Sequence, residues 1–305
     1  VLRDNNIGVA LMGETFMRSP NKVEKLAYLY GPIYYTPKIK MCGISKVETI
    51  LAIVDAKPDY MGLVFAPSKR QVTVDQAKTL VEELHKQYAN RYNRNAEQYS
   101  NNVVQAGTIT DVVQDGTIIN ALQEETATGD AHEGTLTSTE NISPTLIHQE
   151  FIKTVGIFVN ETLENLVTIA TEVNLDAVQL HGDEDEAFIK ALKEKTDVEV
   201  WKAVQIRSAA DAEAWIDSSA DMLLFDAYHK DERGGTGEVF DWSCLDEFER
   251  PFMLAGGIDS TNVARAIRTV RPYGIDISSG IETDGVKDDE KIKAFTNIVR
   301  TIAMP

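Results

Sequence analysis

Met222-Leu223-Leu224-Phe225-Asp226 is an apolar run that stops on a carboxylate, and its reading decides the fold. A strand with no polar alternation is buried on both faces, as in a parallel sheet covered by helices. Ala177-Val178-Gln179-Leu180 is a second run of the same kind. Working outward in both directions, strands are predicted near 38–42, 60–65, 154–159, 175–180, 198–202, 222–226, 252–255 and 273–277. Amphipathic helical patterns separate them, for example Leu163 to Val173 and Glu184 to Lys195. Eight strands alternating with helices point to an α/β protein built as a (β/α)8 TIM barrel, with a doubly wound open sheet as the alternative. In either case the strand ends collect on one face. Cys42, in Lys40-Met41-Cys42-Gly43-Ile44, and Asp226 are two proton-transfer groups that such a face brings to one substrate.

The chain has 305 residues, enough for one large domain or two smaller ones, and is 43% hydrophobic and 26% charged. Its formal charge of −18 argues against nucleic acid or an anionic membrane surface as a partner. Local N–H groups and an arginine still suffice for an anionic small molecule. Cys42 and Cys244 are the two cysteines, without metal-type spacing or a disulfide framework, so a reducing, cytoplasmic setting is expected. No apolar run has the length of a membrane span, and the first residues lack a signal-peptide layout. Because the sequence begins at Val1, it reads as a processed or excised piece.

Two segments break the repeat. Residues 88–150, between the second helix and the third strand, hold two Arg against nine Asp and Glu and carry no Phe or Trp. A connection of that length marks a lid or a disordered insertion, and the expectation is a mostly mobile, polar surface insertion. The β-branched alternation between Val103 and Leu122 allows a small hairpin inside it. Residues 1–36 contain one strand end and turn, Ala10 to Thr15, and one helix, Pro20 to Tyr30, which together cannot form a domain.

Several strand ends carry candidate chemistry. Arg70 follows Ser68-Lys69, and its guanidinium fork suits a carboxylate, whereas Lys69 reads as a solvated charge. Gly256-Gly257 and Ser278-Ser279-Gly280 lie after the last two strands, where barrels of this kind hold phosphate on backbone N–H groups. Gly235, within Gly234-Gly235-Thr236-Gly237, is either a phosphate contact or part of a mobile loop. Lys40 shares a strand face with Cys42 and is a candidate for stabilising its thiolate, which a base needs; the bland alternative for Cys42 is a small buried hydrophobe. Cys244, Trp201, Trp215 and Trp242 read as packing, and His181 and Asp276 as site-lining or structural groups.

From Lys38 to Met304 these stretches resemble phosphoribosylanthranilate isomerase. The resemblance rests on Lys40-Met-Cys-Gly-Ile44, Gly62-Leu-Val-Phe-Ala-Pro-Ser-Lys-Arg70, Val155-Gly-Ile-Phe-Val-Asn160, Ala177-Val-Gln-Leu-His-Gly182, Leu224-Phe-Asp226, Gly234-Gly-Thr-Gly237, Leu254-Ala-Gly-Gly257 and Asp276-Ile-Ser-Ser-Gly-Ile-Glu282. It implies an aldose–ketose isomerase of tryptophan biosynthesis that works without metal or cofactor on a small phosphorylated substrate. The implied roles are Cys42 as general base, Asp226 as general acid, and Arg70 on the anthranilate carboxylate. Gly235, Gly256, Gly257, Ser278, Ser279 and Gly280 bind the rest of the substrate. Residues 1–36 resemble the last strand and helix of indole-3-glycerol-phosphate synthase, with Glu14 and Thr15 on that family's Glu-Ser pair. The implied organisation is a remnant over 1–36 and an isomerase barrel over 37–305, as in fungal multifunctional tryptophan proteins with an upstream synthase domain. Two alternatives stand beside it: a related sugar-phosphate epimerase, for which His181 alone supplies too few metal ligands, and a catalytically silent scaffolding barrel.

Overall fold

A computed structural model describes residues 36–106, 112–114, 117–119, 151–227, 242–245 and 248–302. The leading strand–helix unit and the loop holding Gly235 lie outside the described residues. Eight parallel strands close into a barrel: β1 (Lys38–Cys42), β2 (Tyr60–Val64), β5 (Lys153–Phe158), β6 (Ala177–Leu180), β7 (Glu199–Ile206), β8 (Met222–Ala227), β9 (Phe252–Ala255) and β10 (Gly274–Ile277). They hydrogen-bond in the ring order β1-β10-β9-β8-β7-β6-β5-β2. The open-sheet alternative is thereby excluded, because β1 pairs with both β2 and β10.

Alternate residues of these strands point inward. Tyr60, Val155, Ala177, Trp201, Leu224 and Met253 meet in one buried cluster, with the Tyr60 and Trp201 rings edge-to-face at 4.8 Å. By the two-residue period of a strand, Gln179 and Asp226 share the inward side of Ala177 and Leu224. Trp201 and Trp242 are core, as expected, whereas Trp215 is half-buried beneath the Lys202 ammonium at 5.4 Å.

The helices on the outside are α1 (Ile50–Ala56), α2 (Val74–Ala106), α3 (Leu163–Val173), α4 (Glu186–Lys193), α5 (Ala209–Glu213), α6 (Val263–Val270) and α7 (Asp289–Thr301). Local chemistry sets their limits. The Thr162 side chain accepts from Asn165 N–H at the start of α3, and Asn174 ends that helix in the left-handed region at φ 57°. Helix α4 begins two residues later than its sequence pattern suggests, because Asp185 caps it by accepting from Phe188 N–H. Glu184 is instead drawn inward to accept from the backbone N–H of Asn160 (2.6 Å) and Gly182 (2.9 Å). The Lys202 ammonium lies 3.3 Å from the same carboxylate and donates to Gly182 O at 2.6 Å, so one buried ion pair clamps the loops after β5 and β6.

The chain divides into two compact units, Val1–Val81 with Ile152–Pro305, and Glu82–Phe151. The expectation of a mostly mobile insertion needs correcting at its start. Helix α2 continues through Ala106, because this stretch is rich in Asn, Gln, Glu and Ala and has no proline to stop it. The hairpin is present as β3 (Val112–Gln114) antiparallel to β4 (Thr117–Ile119). Replacing residues 88–150 by a short Gly/Ser linker is expected to preserve kcat and a single cooperative melt, since loop-closure entropy changes slowly with length. Thermal melting and steady-state kinetics check this, and lost kcat with an intact melt would make the segment part of the active site.

Candidate active site

The C-terminal rim of the barrel gathers the groups singled out above. Cys42 ends β1 and keeps part of its surface open. Beneath it Lys40, fully buried, donates to Asp276 Oδ2 at 2.9 Å. Burial would drive the Lys40 ammonium toward neutrality, but Asp276 and Cys42 more than offset this and raise its pKa. The sequence reading expects a depressed thiol pKa, and the structure departs from that. Burial pushes the Cys42 thiol up, and the opposing pull of Lys40 is weakened because Asp276 neutralises that charge and itself disfavours a thiolate.

Arg70 lies across Gly43, immediately after Cys42. Gly43 has φ 76°, and a Cβ there would run into Arg70 Cδ. The guanidinium is not free: its Nε and Nη2 donate to Glu282 Oε1 and Oε2 at 2.6 and 2.8 Å. Glu282 also accepts from Lys287 Nζ at 2.9 Å, and both side chains are almost fully buried. Burial alone would raise the Glu282 pKa, yet the bonds from Arg70 and Lys287 dominate and hold it at about 2. Arg70 therefore presents only its outer Nη1/Nη2 edge to a ligand, one edge of the fork being spent on Glu282. Lys69 is largely exposed, as expected.

The network continues to the thiol. Lys287 Nζ donates to Ser278 O at 2.9 Å, and the Ser278 hydroxyl donates to the carbonyl of Cys42 at 3.1 Å. Ser278 thus spends its hydroxyl on β1, which leaves backbone N–H groups as the anion donors of its loop. That loop, which includes the 3-10 turn Ser279–Ile281, packs directly on the one after β9, since a Cβ on Gly280 would strike Ile258 O. Gly256 and Gly257 take φ 87° and 60°, a backbone that side-chain-bearing residues rarely adopt. The two glycine loops therefore converge as expected.

Across the rim, Asp226 near the end of β8 has His181 Nε2 3.4 Å from its Oδ2, and each side chain is 31% exposed. Gln179 Nε2 contacts His181 Nδ1 at 2.8 Å. His181, Lys202 and Trp215 also line a cavity of about 380 Å³ at the ends of β6 and β7. Cys244 sits in the 3-10 turn Trp242–Leu245. Among the described residues no group of three or more His, Cys, Asp or Glu is placed to hold a metal ion, and no helix is long and apolar enough to cross a membrane.

Comparison with known proteins gives the family. The family model for N-(5'phosphoribosyl)anthranilate (PRA) isomerase matches residues 106–298. An N-(5'-phosphoribosyl)anthranilate isomerase of Thermoanaerobacter sp. (strain X514) is 36% identical, over 87% of this chain and 98% of its own. This chain belongs to the phosphoribosylanthranilate isomerase family. A solved structure of a phosphoribosyl anthranilate isomerase in complex with reduced 1-(o-carboxyphenylamino)-1-deoxyribulose 5-phosphate has a TM-score of 0.57 and 26% identity, covering 86% of this chain and 98% of the other. A multifunctional tryptophan biosynthesis protein of Phycomyces blakesleeanus is 32% identical over 96% of this chain and 38% of its own length.

Sequence reasoning passed over Glu282 and Lys287 as members of this isomerase site. Glu282 closes the quoted motif Asp276 to Glu282, and the available signal was that an arginine on a strand-end loop needs a counter-charge. Glu282→Gln keeps the shape but releases Arg70, and Arg70→Ala removes the guanidinium. If Arg70 holds a substrate carboxylate, both are expected to act mainly on KM, by roughly 10-fold for Glu282→Gln and more for Arg70→Ala, because such a contact would be made before the transition state. Stability supplies a second reading. The depressed carboxyl contributes stability that is complete above its ordinary value of 4.5 and is lost as pH falls toward about 2. The gap in melting temperature between wild type and Glu282→Gln should therefore narrow as the pH drops from 5 to 3. A pH-independent gap would mean that the ion pair contributes nothing through its charge.

Proposed function

We propose that Cys42 and Asp226 perform the two proton transfers of the isomerisation, with Arg70 and the loops of Gly256-Gly257 and Ser278-Ser279-Gly280 holding the two ends of the substrate. The chain is an isomerase of tryptophan biosynthesis. Its reaction converts N-(5'-phosphoribosyl)anthranilate to 1-(o-carboxyphenylamino)-1-deoxyribulose 5-phosphate, an Amadori rearrangement. The observation that carries the residue assignment is that a thiol and a carboxyl end two strands on one rim, with an arginine beside the thiol and paired glycine loops between them in the ring.

The chemistry fits those groups in turn. Asp226 protonates the ring oxygen as the C1′–O bond breaks and the nitrogen lone pair forms a C1′=N Schiff base. Cys42, as thiolate, takes the C2′ proton, which leaves an enolamine. Protonation at C1′ and loss of the O2′ proton then give the ketone. No electrons leave the substrate, so acid and base suffice. The outer edge of Arg70 receives the anthranilate carboxylate. The sharply turned glycine loops let backbone N–H groups approach the phosphate. The residue set Cys42, Asp226 and Arg70 favours catalysis over a silent scaffold.

We also read residues 1–36 as the end of an indole-3-glycerol-phosphate-synthase-like barrel, with 37–305 as the isomerase. The wider coverage of this chain by the multifunctional relative supports that reading, since the single-enzyme relative leaves a stretch uncovered. A free thiol as base suits the reducing cytoplasm. Expression in a bacterial tryptophan auxotroph lacking this isomerase tests the function: growth without tryptophan is expected, and failure despite soluble protein would contradict it.

A further inference from the structure

Gln179 and His181 are left over by this assignment, yet they form one chain of contacts that ends on Asp226. Gln179 lies on β6 and is 1% exposed. His181 follows two residues later, on the same side of the extended chain. On β7, the strand between β6 and β8, Ala203 and Gln205 line the same cavity as His181. The amide nitrogen of Gln179 stands 2.8 Å from His181 Nδ1. An amide nitrogen only donates, so Nδ1 must offer its lone pair and the ring proton must reside on Nε2. Nε2 is the nitrogen 3.4 Å from Asp226 Oδ2.

We propose that Gln179 is a positioning residue that fixes the Nε2–H tautomer of His181, and that His181 uses this N–H to steady Asp226 as it becomes a carboxylate. The inference deepens the proposed acid role of Asp226 and rests on it. When Asp226 gives its proton to the sugar ring oxygen, negative charge appears on the carboxylate, and a neutral imidazole N–H already facing Oδ2 stabilises that charge without transferring its own proton. The bond matters more after the transfer than before it, which is the condition for raising kcat rather than lowering KM. It also holds Oδ2, so that Oδ1 is the oxygen turned to the substrate. A catalytic contact of 3.4 Å tightens as the reacting complex forms. Gln179 is suited to the task because burial leaves its amide little freedom. Its Oε1 has no hydrogen-bond partner among the described residues.

The test uses the full chain labelled with 15N-histidine, the His181 signals being assigned by their loss in His181→Gln. The expected spectrum shows a protonated Nε2 and an unprotonated Nδ1 at neutral pH. A proton on Nδ1, which a reversed Gln179 amide would impose, overturns the proposal. Gln179→Leu, close to isosteric, should convert this single tautomer into a mixture, and an unchanged spectrum overturns the role of Gln179. In steady-state kinetics His181→Leu should lower kcat on the order of 10–100-fold with little change in KM. His181→Gln should recover most of that loss, because its amide N–H takes the place of Nε2–H. If His181→Leu keeps full kcat, or His181→Gln falls as far as His181→Leu, the proposal is wrong. Asp226→Asn separates the two layers: full turnover in that variant removes the acid assignment, while the histidine spectrum still reports the tautomer.

Discussion

Cys42→Ala is expected to lower kcat by roughly 10²–10⁴-fold or more, with KM and the thermal midpoint nearly unchanged. The thiol sits at the partly open end of β1 and fills little core, whereas no other described group on that strand end can accept a proton. Lys40 is held by Asp276 and its pKa is raised, so it stays charged. The environment adds a second readout. Burial raises the thiol above its ordinary value of 9.0, which makes the thiolate scarce at neutrality and more abundant as pH climbs. The pH profile of kcat/KM therefore carries two requirements at once, a Cys42 thiolate and an Asp226 that still holds its proton. Cys244→Ala, in a turn away from the strand ends, should leave the rate alone.

The second large effect is expected at Asp226. Asp226→Asn retains size and polarity and can still receive a hydrogen bond from His181, but it cannot protonate the ring oxygen. A fall in kcat of roughly 10²–10⁴-fold with preserved binding is expected, read by steady-state kinetics and by titration with a reduced product analogue. If the variant lost binding and kept kcat, Asp226 would be a substrate contact and the acid would lie elsewhere on the rim. Measuring both constants separates Asp226 from Arg70, whose replacement acts on KM.

What was legible in the sequence follows from which forces are local. The strands of the barrel emerge within a residue or two along most of the chain, because a buried parallel strand must be apolar on both faces. Leu163–Val173 appears at its predicted limits because its cap, Thr162, and its left-handed terminator, Asn174, lie in the same short window. Glu184 shows the limit of that logic: it fits the helical pattern of α4, yet the backbone N–H groups of Asn160 and Gly182 and the Lys202 ammonium draw it into the loop clamp. The candidate site divides in the same way. Cys42, Asp226 and the glycine loops were visible as strand ends. The bond of Arg70 to Glu282 was not, because it links residues 212 positions apart, and pairing over such a separation leaves no periodic trace. The raised Cys42 thiol was misjudged for a related reason: Lys40 was visible two residues away, but Asp276, which neutralises it, belongs to β10. The helix within the insertion was missed because polar composition was read as disorder, although Asn, Gln and Glu without proline tolerate an α-helix well.

The claim underlying all of this is that the chain itself catalyses the rearrangement with its own acid and base. The most direct measurement is the decay of anthranilate fluorescence when purified protein meets freshly made N-(5'-phosphoribosyl)anthranilate in the presence of a metal chelator. Saturable decay, retained with chelator and lost together in Cys42→Ala and Asp226→Asn, is the predicted result. Fluorescence that falls no faster with the wild-type protein than without it would contradict the account.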